Sequence, residues 1–340
     1  MRGRLEITLP SVLADGSTLR GDVQIGLAAT AGAGVVFLLG WGLAALGGFD
    51  RLYVHTRHMY VAWFGVAWSA FWYLWSVRHL RGWVPRAGSA FQAGNEEWPR
   101  FCDAWRLRLR RMVALPTGVG VVLLWIYVAL ATHLGHRLWA LPRFPREWTH
   151  GPSLALKDVV LGLWAGPILA VVAPNVVGAV KYSLMVRSLG RLPGLTPSIP
   201  AAREGLRLVG RFGIVTGVAW SIAVFVIVAS LGPATFDWGA VAVVGVLALL
   251  GLQLILWSQW ELHSALARLR ERLVEPLLEA LGRPGRGEER ARREAELRTI
   301  LGDSTWVNAA GAVGVLLSAL GQLVLPAASL AISIVTRRGG

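Results

Sequence analysis

The residues of this chain best suited to metal chemistry are histidines in two short segments. His133 and His136 are three residues apart, about one helical turn, so they could share a metal ion. His55 and His58 repeat that spacing. Neither cysteine nor carboxylate ligands accompany them at useful spacing. We therefore interpret them as interfacial histidines and assign no metal site; a metal or haem centre, or a pH sensor, is the alternative.

Uncharged polar residues inside apolar segments form a second set that could act on a solute. Such groups need hydrogen-bond partners within lipid, so they either bond between helices or line a wet pathway. Bonding between helices is the simpler interpretation, and the pathway is the alternative. The candidate pathway residues are Asn175, Ser221, Asn308, Ser318 and Gln322.

Motifs of known enzyme classes do not occur in the sequence. We find no P-loop, GxSxG, HExxH or dinucleotide fingerprint, and no carboxylate well inside an apolar segment. That pattern argues against a proton-coupled transporter with a buried carboxylate relay and against Asp-rich metal enzymes. The single cysteine, Cys102, excludes an intrachain disulfide. We predict no catalytic residue and no cofactor.

Arginines are concentrated beside apolar segments. The chain has 34 basic and 20 acidic residues, yet only 16% of its residues are charged and 54% are hydrophobic. Soluble domains carry about 25% charged residues, so the composition indicates a membrane protein. The arginines are dispersed over several loops, which argues against nucleic acid and favours anionic lipid or a cytosolic partner. The predicted lipid or partner face comprises Arg106, Arg108, Arg110, Arg111, Arg290, Arg292 and Arg293.

Seven segments approach the roughly 20 apolar residues that a spanning helix requires. They are residues 23–46, 59–77, 112–133, 159–180, 212–231, 238–257 and 306–334. Prolines at 167 and 174 are expected to break the fourth, and Pro326 to break the seventh. The prediction is an all-α, polytopic bundle of about seven helices. In the alternative, six helices span and the last stretch is re-entrant.

The distribution of Lys and Arg along the chain predicts how it is oriented in the membrane. With a cytoplasmic N-terminus, the cytoplasmic segments hold 26 of the 34 Lys and Arg residues. The chain then divides into a cytoplasmic segment 1–22 and six spans over 23–257 with an amphipathic loop 78–111. In that loop, Trp98, Phe101 and Trp105 recur at helical spacing and predict an amphipathic helix at the lipid interface. A cytoplasmic helical hairpin 258–305 and a seventh helix with a tail, 306–340, follow. Leucines at three- and four-residue steps predict that the sixth helix continues into the hairpin, and Glu289–Arg293 is one of the i,i+4 pairs that predict its second helix. Only two basic residues are lysine, which suggests a GC-rich bacterial genome and hence the bacterial plasma membrane.

Two side-chain patterns predict how helices pack. Phe64, Trp68, Trp72 and Trp75 share one face of the second span, either as a packing stripe or as a pocket for a lipid, quinone or flat ligand. Small residues recur every fourth position from 213 to 221, which lets two helices approach closely.

Three functions remain after these exclusions. The first is a channel or facilitator, as a single chain or a homo-oligomer, whose pathway is lined partly by the last helix. The second is a non-catalytic membrane subunit or scaffold of a larger complex that recruits a cytosolic partner through its Arg-rich face. The third is a lipid-, quinone-, metal- or haem-dependent membrane enzyme, and the lack of buried acids counts most against it.

Overall fold

The fold is seen in a computed structural model that describes residues 18–105, 108, 146–149, 152–231, 238–283 and 287–307. Its regular elements in these ranges are helices, and the strand pairing there amounts to a single bridge between Phe91 and Leu195. The helices are α1 (Thr18–Leu46), α2 (Asp50–His55), α3 (Arg57–Arg86), α4 (residues 97–105), α5 (Arg146–Thr149), α6 (Leu154–Gly190), α7 (Ile199–Leu231), α8 (Trp238–Leu281) and α9 (Gly287–Gly302), with a 3₁₀ turn at Ala87–Ala90.

Three of the described helices are long and apolar enough to cross a membrane. The segments are Gly21–Leu46, Leu154–Gly190 and Ile199–Val226, with mean hydropathies of 1.8, 1.9 and 1.7. The all-helical class and the membrane character predicted from the sequence are confirmed at this level. The second and sixth predicted spans are helical within α3 and α8. The third predicted span and nearly all of the seventh lie outside the described residues, so the number of spans stays a prediction.

The predicted break in the fourth span is wrong, because α6 continues through Pro167 and Pro174 for 37 residues. Proline removes one backbone donor and leaves the carbonyl four residues earlier without its helical partner, which a membrane bundle can tolerate. The Nδ2 atom of Asn175 donates to the carbonyls of Val171 and of Ser69 on α3, both at 2.8 Å. These bonds tie α6 to α3 beside Pro174, although neither reaches the carbonyl that this proline frees.

Glycines bring α7 and α8 into close contact, as the small-residue spacing predicts. A Cβ at Gly213 would lie 2.9 Å from the carbonyl oxygen of Leu254, and one at Gly217 would lie 2.7 Å from that of Gly251. These distances are shorter than any ordinary carbon–oxygen contact, so the α7–α8 interface requires glycine, which has no side chain, at both positions.

At one end of the bundle, called the basic end below, loops and helix ends pack together. Gln92 donates its backbone N–H to the carbonyl of Gly194 at 2.9 Å, and Thr196 donates to Ala90 at 2.9 Å. Phe101 of helix α4 packs against these loops and helix ends. The loops after α3 and α6 therefore fold as one unit with the ends of α7 and α8.

Helix α4 forms where the spacing of Trp98, Phe101 and Trp105 predicts a helix. Phe101 and Trp105 are only 8% and 3% exposed, because they pack against the core at the basic end. The prediction placed this apolar face at the lipid interface. In the structure it faces protein, since the neighbouring loops close over it.

The opposite end of the bundle is closed by aromatic side chains that bond to one another. The Trp164 indole donates to the Tyr53 hydroxyl at 3.0 Å, which donates to the Phe37 carbonyl at 3.0 Å. The fully buried Trp148 donates to the Thr56 hydroxyl at 2.8 Å. These bonds join α1, α2, α5 and α6.

Helix α8 continues for 44 residues, about 66 Å at 1.5 Å per residue, so it extends well past a bilayer core about 30 Å thick. Helix α9 folds back beside its end, where Arg293 donates to the Ala280 carbonyl at 3.2 Å and pairs with Glu289. The predicted continuation of the sixth helix and the predicted second helix are therefore present. Arg293–Glu289 is one of the i,i+4 pairs predicted there.

Candidate site within the helical bundle

A cavity with about 60 Å³ of space for water-sized molecules lies between α3, α6 and α7 and opens partly to the surface. One water needs about 10–15 Å³ of such space, so the cavity can hold a few waters or a small solute. None of the lining residues carries a charge. They are Trp68, Ser69, Trp72, Val172, Asn175, Trp220, Ala223 and Val224.

Antiparallel packing of α3 on α7 places two walls of the cavity. The Trp68 indole donates to the Ala219 carbonyl at 3.2 Å, and the ring of Trp75 stacks on Phe212 with centroids 5.8 Å apart. Residue numbers rise on α3 as they fall on α7, so Trp72 lies between these two contacts. The aromatic stripe of the second predicted span thus forms a wall of the site.

Polar side chains give the cavity hydrogen-bonding capacity. Asn175 uses Nδ2 for both of its bonds, to Ser69 and Val171, so its Oδ1 is left to accept. Ser69 adds a hydroxyl group to the lining. The Nε1 atom of Trp72 finds no acceptor among the residues that the structure describes, but it is enclosed and so lies out of reach of a water-sized occupant.

Of the predicted pathway residues, the structure brings only Asn175 to the cavity. Ser221 lies on another face of α7, and its hydroxyl donates to the carbonyl of Gly217 in its own helix at 3.1 Å. Asn308, Ser318 and Gln322 fall outside the described residues. The structure instead groups Asn175 with Trp68 and Trp72, two members of the aromatic stripe.

The histidine pairs are only partly described. His55 Nδ1 lies 2.7 Å from the carbonyl oxygen of Arg51 in its own helix, and His58 is buried at the start of α3. His133 and His136 lie outside the described ranges. Within those ranges, no three His, Cys, Asp or Glu side chains come together as a metal site would require.

The predicted basic face is described at Arg108 and on α9. The guanidinium of Arg108 lies over the Trp105 ring at 5.0 Å, and Lys181 donates to the Arg108 carbonyl at 3.3 Å. Arg290 and Arg293 form ion pairs within α9, with Glu294 and Glu289. Arg292 is exposed on the same helix. Arg106, Arg110 and Arg111 lie outside the described residues.

An ionic cluster at the basic end escaped the sequence analysis. Asp22 on α1 lies 3.3 Å from both Arg78 and His79 on α3. The His79 ring also packs against Trp75, with centroids 4.2 Å apart. The signal was present, because Asp22 and Arg78 each directly flank a predicted span. Their pairing requires α1 and α3 to be antiparallel neighbours.

Comparison with known proteins adds no relative to this picture: no family model, curated protein or solved structure matches the chain. The functional proposal therefore depends on the bundle and its cavity.

Proposed function

We propose that the chain is a non-enzymatic polytopic membrane protein of the channel or facilitator type, located in the bacterial plasma membrane. The observation that carries this proposal is the uncharged cavity inside the bundle at Asn175 and Trp72. The N-terminus is cytoplasmic and seven helices span. The last helix, with Asn308, Ser318 and Gln322, contributes the rest of the pathway.

The chemistry of the cavity favours a small neutral solute over an ion. An ion that leaves water requires several charged or dipolar ligands, because desolvation is very costly in an apolar site. The cavity offers the Asn175 amide, the Ser69 hydroxyl, indole rings and apolar walls, and no charged group. A water molecule or a hydroxyl group can donate to the Asn175 oxygen.

Solute uptake by reconstituted protein tests the proposal. Proteoliposomes are assayed for swelling in glycerol and urea, and planar bilayers for ion current. Asn175→Leu removes the amide oxygen that lines the cavity, and we expect about a tenfold loss of solute flux, which corresponds to one hydrogen bond of about 1.4 kcal/mol. Ala223→Phe fills the cavity and should block flux, and Gln322→Leu should reduce it.

Ser221→Ala is the matched control, because its hydroxyl bonds within α7 and does not line the cavity. Its flux should equal that of the unaltered protein. Equal flux in the Ala223→Phe protein and the unaltered protein would remove the cavity from the pathway. Unchanged flux in Gln322→Leu would remove the last helix.

A second candidate function is that of a membrane-embedded subunit or scaffold. The observation that favours it is the α8–α9 hairpin, because no residue of α9 is buried. A cytosolic protein or a second copy could bind there through Arg290, Arg292 and Arg293. Co-purification of a fixed soluble partner, lost in a protein lacking residues 284–302, would favour this function over transport.

A further inference from the structure

Arg187 lies near the basic end of α6 with an unsatisfied donor. Its guanidinium carbon is 6.0 Å from the centre of the Trp257 ring on α8. Its Nε atom is enclosed without an acceptor, and its Nη atoms, which are not enclosed, make no hydrogen bond or ion pair in the described part of the chain. The accessible Nη atoms can therefore bind an anion that the chain itself does not supply there.

The groups that surround Arg187 are mostly cationic. Arg191 follows one turn later on α6, and Arg268 of α8 donates to the Gly190 carbonyl at 2.7 Å. Glu261 is the nearby acid, since its backbone oxygen lies close to Gly190. Neither Arg187 nor Glu261 takes part in an ion pair within the described ranges. The corner between α6 and α8 therefore carries excess positive charge.

Apolar side chains continue from this corner toward the middle of the bundle and face outward. On α6, Val180 and Leu184 are 41% and 48% exposed, and they share a helix face with Arg187. On α8, Leu256 and Trp257 are each 39% exposed, and Trp260 is 63% exposed. Exposed tryptophan beside arginine, at the end of an apolar surface, is typical of a membrane–water interface.

We infer that this corner binds an anionic phospholipid, with its phosphate on Arg187 and an acyl chain along Val180, Leu184 and Leu256. Phosphate oxygens can accept from the accessible Nη atoms, and a charge-assisted bond from guanidinium is about twice as strong as a neutral one. The Trp257 ring holds the guanidinium in place. The site lies apart from the cavity between α3, α6 and α7, so it does not depend on the transport proposal.

Thermal unfolding of the detergent-solubilised protein with added lipid tests this inference. Phosphatidylglycerol should raise the Tm of the unaltered protein more than phosphatidylcholine does. Arg187→Gln should weaken the apparent affinity for phosphatidylglycerol about tenfold, the loss expected for one charge-assisted bond. Arg187→Lys keeps the charge without the planar pair of Nη donors, so its affinity for phosphatidylglycerol should fall between the two.

Arg207→Gln is the matched control, since it also removes one arginine near the basic end. That arginine is exposed and already pairs with Glu204 at 3.3 Å, so its lipid response should stay unchanged. If phosphatidylglycerol raised the Tm of Arg187→Gln as much as that of the unaltered protein, the inference would be overturned. It would also be overturned if phosphatidylcholine raised the Tm of the unaltered protein as much as phosphatidylglycerol does. Protection by inorganic phosphate alone would show a free-anion site instead, and would overturn the lipid assignment.

The Tm of Arg187→Gln without added lipid shows whether the variant folds. We expect it to lie close to that of the unaltered protein. If that Tm falls sharply, Trp257→Leu serves as the second variant, because it leaves the cation and removes the ring beneath it. Trp257→Leu should then weaken phosphatidylglycerol binding severalfold, and an unchanged affinity would overturn the inference.

Discussion

His79 at the basic end is subject to opposing influences on its charge. Burial lowers its pKa below the ordinary 6.5 and is the largest influence, while Asp22 raises it and Arg78 lowers it. The net direction is downward, so the imidazole is neutral at pH 7. It then acts as a hydrogen-bonding partner for Asp22 while Arg78 supplies the positive charge.

The lowered pKa of His79 makes stability depend on pH. The unfolded chain binds a proton near pH 6.5 and the folded chain only at lower pH, so the stabilisation is complete above about pH 6.5 and is lost as the pH falls below it. The Tm in detergent should therefore drop between pH 7 and pH 5. His79→Gln should flatten part of that drop, and His55→Gln, at the opposite end, should not. An identical pH profile in His79→Gln would contradict this account.

Cys102 reports on the packing of α4. Burial, with a smaller effect of the neighbouring Asp103 carboxylate, raises the pKa of the thiol to about 11. Thiolate is the reactive form, so maleimide should label the folded protein slowly at pH 7.5 and the denatured protein quickly. Labelling at the same rate in both states would show that α4 does not pack into the basic end.

Helix packing depends most sharply on the glycines of α7. Gly217→Ala should destabilise the protein by about 1–3 kcal/mol, the usual cost of overpacking, because its Cβ would meet the backbone of α8. Gly65→Ala on α3 is the control, since a Cβ there meets nothing within 4 Å and alanine favours a helix by about 1 kcal/mol. Thermal unfolding in detergent compares the two variants. Equal Tm values would contradict the close α7–α8 contact.

Sequence patterns predicted several elements because those elements depend on local periodicity. The hydrophobic lengths predicted α1, α6 and α7, and the leucine spacing predicted the long α8. The prolines of α6 misled, because a helix packed in a membrane bundle can tolerate the backbone donor that each proline removes. The covering of α4 by protein could not be predicted, because it requires two loops about 100 residues apart to pair.

The candidate site was predictable only in its parts. Asn175 stands out as an amide in an apolar segment, and Trp68 and Trp72 as an aromatic stripe. Their meeting depends on the register of α3 against α6 and α7, which no local pattern encodes. Ser221 looked equally suitable by sequence, but the rotation of α7 directs it away from the cavity.

At the scale of the molecule, arginine placement predicts the orientation in the membrane, and this prediction can be tested directly. In a Cys102→Ser background, Arg292→Cys should react only with reagents supplied from the cytoplasm. Glu147→Cys should react only from outside. Both residues are exposed, so access does not limit labelling. Labelling of both positions from the same side would contradict the predicted threading.

The central claim is that hydrocarbon, and not water, surrounds most of this helical bundle. Withdrawal of detergent from the purified protein tests it most directly, followed by light scattering and size-exclusion chromatography. We predict that the protein aggregates in plain buffer and returns to a single species only in detergent or in vesicles. A monodisperse protein in buffer alone would contradict the claim.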